Sequence, residues 1–173
     1  NKAAAFGIDR AKDAQLPVSL IEHKQFETRL AFDEELVRQL RAAEVEWIAL
    51  AGFMRVLTPA FLNAFSGKIV NIHPSLLPAF PGVNAQQQAF DYGVKFAGCT
   101  THFVDGGVDT GPIIAQRVVP VLKGDSATDL KDRILIEEHT LFVQTLQAIA
   151  EDRVQLIQGQ ERAQVLITPS SLD

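Results

Sequence analysis

Cysteine, long apolar runs and basic clusters are the features that this chain of 173 residues has least of. The single cysteine, Cys99, excludes a disulfide within the chain and is typical of a reducing compartment, so we expect a cytoplasmic location. No apolar segment approaches the ~18 residues that a membrane-spanning helix needs, which argues against a membrane protein. The chain carries 16 Lys and Arg against 21 Asp and Glu and has no basic run, so nucleic acid is not an expected partner.

What the chain does contain is a hydrophobic fraction of 47%, with 11 Gly and 8 Pro, which suits one compact domain. Hydrophobic periodicity predicts strands at residues 17–23, 46–52, 68–73, 97–105 and 112–121, and helices at 26–44, 58–65, 85–93 and 126–151. This alternation predicts an α/β fold with a mostly parallel twisted sheet and helices on both faces. A short glycine-rich connection before the last strand predicts that it lies antiparallel at one edge. Residues 154–167 suggest a terminal hairpin.

The stretch "NIHPSLLPAFPG", residues 71–82, places Asn71 and His73 at the end of a predicted strand and before a proline-stiffened loop. A strand period of two puts both side chains on one face. Ligands of open α/β sheets bind outside the carboxyl ends of the strands. An Asn amide can donate to a carbonyl oxygen, and a His can donate or transfer a proton near neutral pH. Spacing alone slightly favours a structural role for His73, so this stretch does not by itself establish a catalytic site.

Asp109 lies in the glycine-rich segment "VDGGVDTGP", residues 104–112. Glycines allow a close approach to a ligand, although the same residues are common in ordinary hairpin turns. Asn, His and Asp together would stabilise an oxyanion and move protons in acyl transfer. No nucleophile motif surrounds Cys99 or Ser75, which favours direct attack by a substrate amine. No set of His, Cys, Asp and Glu has metal-ligand spacing, so we expect no metal.

The segment "AGFMRVL", residues 51–57, follows a buried strand and presents Met54 and Arg55 in a turn. An ordinary loop would explain this composition. A flexible apolar side chain beside an arginine would also suit a flat heteroaromatic ligand that carries carboxylates.

Taken together, these motifs closely resemble one enzyme family. The stretches "AGFMRVLTPAFLNAFSGKIVNIHPSLLPAFPG" and "HFVDGGVDTGPIIAQ", with "EEH" in the last helix, resemble the phosphoribosylglycinamide formyltransferase family from about residue 1 to residue 160. The Asn-x-His and Ser-Leu-Leu-Pro motif is shared by folate-dependent formyltransferases in general. The stretches "HPSLLPAFPG" and "AGFMRVL" resemble the branch that acts on glycinamide ribonucleotide.

The resemblance implies a single Rossmann-like formyltransferase domain over residues 1–173, which transfers the formyl group of 10-formyltetrahydrofolate to glycinamide ribonucleotide in de novo purine biosynthesis. It implies that Asn71 and protonated His73 steady the oxyanion while Asp109 holds His73 charged. It also implies the following folate-binding residues: Arg29, Met54, Arg55, Val56, Leu57, Asn71, Asp105, Gly106, Gly107, Val108 and Asp109. Glu138 is the implied substrate-binding residue, and His102 is expected to support the catalytic set. The partners implied are these small molecules, with the chain a monomer or a homodimer.

The chain departs from the family pattern in its phosphate recognition. The family's glycine-rich phosphate loop is absent from this sequence, and we expect that the N-terminal β-α-β portion of the fold is missing ahead of Asn1, which leaves the single domain N-terminally incomplete. Leu135 stands where Lys or Gln is commoner, and Asn84 stands where His or Asp is usual. Two alternatives therefore stay open: a formyltransferase for another amine or a formyltetrahydrofolate deformylase, and a truncated, non-catalytic module that binds folate or a partner.

Overall fold

The computed structural model describes residues 5–157 and 163–169. Its helices are α1 (Phe6–Asp13), α2 (Arg29–Ala42), α3 (Pro59–Ala64), α4 (Ala85–Tyr92) and α5 (Ala127–Ala150), with one 3-10 turn at His23–Gln25. Its strands are β1 (Ile48–Leu50), β2 (Ile69–His73), β3 (Phe96–Phe103), β4 (Ile113–Pro120), β5 (Val154–Ile157) and β6 (Gln164–Ile167). None of these helices is both long and apolar enough to cross a membrane.

The main sheet has the order β1-β2-β3-β4. Strands β1 and β2 are parallel, whereas β2–β3 and β3–β4 are antiparallel. The α/β fold class and the antiparallel edge strand β4 are confirmed. The antiparallel share of the described sheet is larger than predicted, because the proline-rich loop and the short helix α4 return the chain beside β2 in the opposite direction. The alternation of strands and helices along the sequence therefore predicts more parallel pairing than the described sheet has.

The predicted strand at residues 17–23 is wrong. This segment has no regular secondary structure up to residue 22 and then enters the 3-10 turn; it pairs with no described strand, and most of its side chains are exposed. An extended segment becomes a strand only when a neighbour completes its hydrogen-bond ladder. The predicted terminal hairpin is confirmed by the antiparallel pairing of β5 with β6, although its connection, residues 158–162, lies outside the described residues.

Alternate residues of β2 pack against different helices. Ile69 belongs to a cluster with Phe61 of α3 and with apolar residues of α2. Its neighbour Val70 packs with Phe103 and with Ile149 of α5. Helices therefore cover both faces of the sheet, as predicted. Because side chains of a strand alternate, the odd-numbered residues of β2 up to His73 share the face of Ile69.

The N-termini of α5 and α3 are stabilised by different hydrogen bonds. Ser126 and Asp129 form a capping box at the start of α5, where the predicted helix begins. Thr58 precedes α3 as predicted, but its hydroxyl makes no cap hydrogen bond. Instead, the backbone N–H of Thr58 donates to Oδ2 of Asp33, which is only 1% exposed, over 2.7 Å. This hydrogen bond ties α2 to the end of the turn at residues 51–57.

Candidate functional site

Strand register brings four polar side chains together at the end of β2. In the antiparallel β2–β3 pair, Asn71 lies opposite His102 and His73 lies opposite Thr100. Residues opposite each other in a sheet point to the same face, so all four share it. His73, Thr100 and His102 are buried, and Asn71 is partly exposed. The sequence-based expectation that Asn71 and His73 share a face agrees with this geometry.

His73 lies between two hydrogen-bond acceptors. Its Nδ1 is 3.3 Å from Oδ2 of Asp109, and its Nε2 is 2.9 Å from the carbonyl oxygen of Phe80. A ring nitrogen must carry a proton to donate to an acceptor, so only the doubly protonated imidazolium satisfies both contacts. Asp109 therefore lies where its carboxylate would face the charge of a protonated His73. The sequence-based expectation is that His73 steadies the oxyanion directly. In the structure, both of its ring nitrogens instead face protein atoms.

His102 orients the amide of Asn71. Its Nδ1–H donates to the carbonyl oxygen of Phe103 at 2.8 Å, and its Nε2 lies 3.2 Å from Nδ2 of Asn71. Burial is the main cause that lowers the pKa of His102 below its usual range. In the neutral ring the unprotonated Nε2 accepts from the Asn71 amide. One N–H of that amide is thus engaged, and the second remains to donate to a ligand.

Stability should depend on pH through His102. A histidine in the unfolded chain titrates near its usual pKa of about 6.5, whereas burial lowers the pKa of His102 in the folded chain. The unfolded state therefore binds more protons at mildly acidic pH, and the stability that neutral His102 contributes above about pH 6.5 is lost as the pH falls through its folded pKa. We expect the wild-type Tm to fall more between about pH 7.5 and about pH 5.5 than the Tm of His102→Gln. Equal falls in thermal melts would contradict this.

The loop that carries Asp109 is shaped by its own side chains and glycines. Asp105 Oδ1 accepts from the N–H of Gly107 and from the hydroxyl of Thr110, at 3.0 and 2.6 Å. A Cβ on Gly111 would come within 1.9 Å of the carbonyl oxygen of Phe103, so this position requires glycine. Asp109 itself adopts a left-handed φ of 53°. At Gly111 the glycine thus permits a close approach to the backbone of β3, whereas an approach to a ligand stays a prediction.

Asp109 also contacts the proline-rich loop. Its Oδ2 accepts from the N–H of Gly82 at 2.8 Å. Its Oδ1 lies 3.7 Å from Nε2 of His102, beyond hydrogen-bond distance and consistent with an unprotonated Nε2. The carboxylate thus joins β2, β3 and the loop after β2 at one point.

These groups form one wall of an open cavity of about 740 Å³. Most of the predicted site residues line it, namely Met54, Arg55, Val56, Leu57, Asn71, His73, Asp105, Gly107, Val108, Asp109 and Glu138, and so does His102. Two predicted residues do not line it. Arg29 is the first residue of α2, and Gly106 lies in the loop without lining the cavity, so both stay predictions.

The turn at residues 51–57 forms the apolar wall of the cavity. Met54 is 72% exposed, and the Arg55 guanidinium lies 4.8 Å from the centre of the Phe32 ring, within range of a cation–π contact. The Nε of Arg55 is buried and has no hydrogen-bond partner among the described residues. The wall thus offers an apolar surface and a cationic side chain.

Helix α5 contributes two charged groups to the cavity lining. Glu138 lines the cavity, and burial raises the pKa of its carboxyl. Lys131, which sequence reasoning missed, also lines it. The signal was available, since a residue seven positions before Glu138 lies two helical turns away on the same face. Within residues 5–157 and 163–169, no group of three or more His, Cys, Asp or Glu is placed to hold a metal ion.

Known proteins share this arrangement of strands and motifs. Residues 1–146 match the formyl transferase family profile. A trifunctional purine biosynthetic protein adenosine-3 of Chironomus tentans is 47% identical over 156 residues, which are 90% of this chain but 11% of that protein. The phosphoribosylglycinamide formyltransferase of Bacillus subtilis is 48% identical over 142 residues, covering 82% of this chain and 73% of the relative. The crystal structure of glycinamide ribonucleotide transformylase 1 from Symbiobacterium toebii matches with a TM-score of 0.91 at 46% identity, covering 97% of this chain and 77% of that one.

Proposed function

This chain belongs to the formyl transferase family, and from that membership we propose that it transfers the formyl group of 10-formyltetrahydrofolate to the amine of glycinamide ribonucleotide. The observation that carries the proposal is the convergence of Asn71, His73 and Asp109 on one wall of the cavity, with His73 Nδ1 3.3 Å from the Asp109 carboxylate. The names of the relatives support the choice of amine and a place in purine biosynthesis. The family resemblance predicted from sequence is thereby confirmed.

The apolar wall formed by the turn at residues 51–57 fits a folate, the formyl donor. Met54, Val56 and Leu57 offer apolar contacts to a flat heteroaromatic ring, and Arg55 offers N–H donors to carboxylates. Asp105, Gly107, Val108 and Asp109 line the same cavity. The donor supplies the formyl group, and these residues bind and orient it.

The reaction begins when the substrate amine attacks the formyl carbon. A new N–C bond forms, and the carbonyl electron pair moves to the oxygen. The free N–H of Asn71 donates to that oxygen, and the imidazolium of His73 provides a fixed positive charge nearby. Asp109 keeps His73 charged and oriented through its carboxylate. The bond to the donor nitrogen then breaks, the attacking amine loses a proton, and the departing nitrogen gains one.

Direct attack by the substrate amine agrees with the raised pKa of Cys99, the only cysteine of the chain. Burial, with smaller contributions from nearby glutamates, raises the pKa of the Cys99 thiol to about 12. Because the thiolate is the nucleophile, a thiol with this pKa does not form a covalent formyl intermediate near neutral pH. The amine of the substrate therefore serves as the nucleophile.

Glu138 and Lys131 are the groups that we assign to the amine substrate. Glu138 can accept from ribose hydroxyls, and Lys131 can pair with an anionic group. A cytoplasmic location and a monomeric or homodimeric state belong to the same proposal.

The test is a formyl-transfer assay with the purified protein and 10-formyltetrahydrofolate. We expect mass spectrometry to detect formylated glycinamide ribonucleotide, with little product from an amino sugar nucleotide and little free formate when no amine is present. Formate release without an amine would instead identify a deformylase. Binding of the folate without either product would identify a non-catalytic module.

A further inference from the structure

A row of three residues crosses the sheet beside the catalytic histidine. Thr100 lies opposite His73 in the β2–β3 pair and opposite Gln116 in the β3–β4 pair. The three side chains therefore share one face of the sheet. Thr100 has no exposed surface, and neither Thr100 nor Gln116 lines the cavity.

The hydroxyl of Thr100 is saturated with contacts to the proline-rich loop and to Gln116. It donates to the carbonyl oxygen of Ser75 at 2.7 Å and accepts from the N–H of Leu77 at 3.1 Å. It also accepts from Nε2 of Gln116 at 2.9 Å, and the same Nε2 donates to the carbonyl oxygen of Leu77 at 3.0 Å. One hydroxyl has one donor and two acceptor positions, so each of them is used. The start of the loop is thus held by the buried Thr100 of β3 and by the exposed Gln116 of β4.

The other end of the same loop holds the catalytic pair. The carbonyl oxygen of Phe80 accepts from His73, and the N–H of Gly82 donates to Asp109. Phe80 adopts a φ of 52°, a left-handed conformation that is uncommon for a bulky residue and aims this carbonyl. Between the two ends, the Ser75 hydroxyl donates to the carbonyl oxygen of Ala79 at 2.6 Å and keeps the loop compact.

We propose that Thr100, assisted by Gln116, is a positioning residue: it anchors the loop of residues 74–82 so that the loop backbone holds His73 and Asp109 in their reactive geometry. The expected loss of turnover rests on the proposed formyl transfer. The expected displacement of the loop does not depend on it. Misplacement of a reacting group by about 1 Å can cost up to about 100-fold in rate. Loss of the anchor should therefore lower turnover without affecting binding at the cavity walls.

The kinetic test compares Thr100→Val with Thr101→Val in the whole protein. Valine keeps the shape of threonine but removes the hydroxyl. Thr101 is equally buried on the same strand, but its hydroxyl meets Thr145 of α5 at 2.9 Å on the opposite face. We expect Thr100→Val to lower kcat between about 10- and 100-fold with both KM values nearly unchanged, and Thr100→Ser to restore it. Thr101→Val should lower Tm but leave kcat near the wild-type value.

The structural test measures amide hydrogen exchange at Gly82, which does not contact Thr100. We expect this amide to exchange faster in Thr100→Val than in the wild type or in Thr101→Val. If Thr100→Val does not fold, Gln116→Met should produce the same acceleration to a smaller extent. Unchanged Gly82 exchange, or equal losses of kcat in both valine variants, would overturn the positioning role. A wild-type protein without formyl transfer would instead refute the proposed function, and the exchange measurement would still test the anchor.

Discussion

Asp109→Asn should lower kcat for formyl transfer by about 100- to 10,000-fold, the range that a positioned proton-transfer group contributes. The substitution keeps the size of the side chain but removes the negative charge that faces His73 Nδ1 at 3.3 Å. The imidazolium then loses its counter-charge and is no longer favoured. The N–H of Gly82 can still donate to the amide oxygen, so the loop should keep its position. Folate affinity should change little, because the apolar wall at residues 51–57 is untouched.

Steady-state kinetics and isothermal titration with the folate check this expectation together. Asp91→Asn is the matched control, since Asp91 lies on α4, is exposed, and contacts only Gln87 among the described hydrogen bonds. The control should keep its kcat. Wild-type turnover in Asp109→Asn would remove Asp109 from the mechanism, whereas a loss of folate binding would make it a binding residue.

The local parts of the site could be predicted from the sequence. The shared face of Asn71 and His73 follows from the period of two in a strand, and the capping box at Ser126 follows from a pattern within four residues. Both depend only on neighbours along the chain. The turn at residues 51–57 was likewise recognised from its composition and motif, and it lines the cavity.

The remaining parts depend on long-range geometry that local patterns do not carry. His102 contacts Asn71 only because β2 and β3 are antiparallel in this particular register. The contact of Phe80 with His73 is made by a backbone carbonyl, so the type of residue at position 80 does not predict it. The segment at residues 17–23 has the composition of a strand but lacks a described partner. Thr58 has the composition of a cap, yet the carboxylate of Asp33 meets its N–H.

Asn71→Asp should lower kcat by about 100- to 1,000-fold, because it replaces the oxyanion donor with an acceptor of equal size. The new carboxylate would repel the developing oxyanion. It would also face Nε2 of His102, now 3.2 Å from the Asn71 amide nitrogen, and draw a proton onto that ring.

The effect should therefore appear in the chemical step, with both KM values changing much less than kcat. Single-turnover kinetics separates this step from product release. Asn63→Asp, at an exposed position of α3, introduces the same charge away from the cavity and should leave kcat within about twofold of the wild type. If Asn71→Asp retained comparable turnover, the amide would not be the oxyanion donor. His73 would then have to release the Phe80 carbonyl and donate to the formyl oxygen itself.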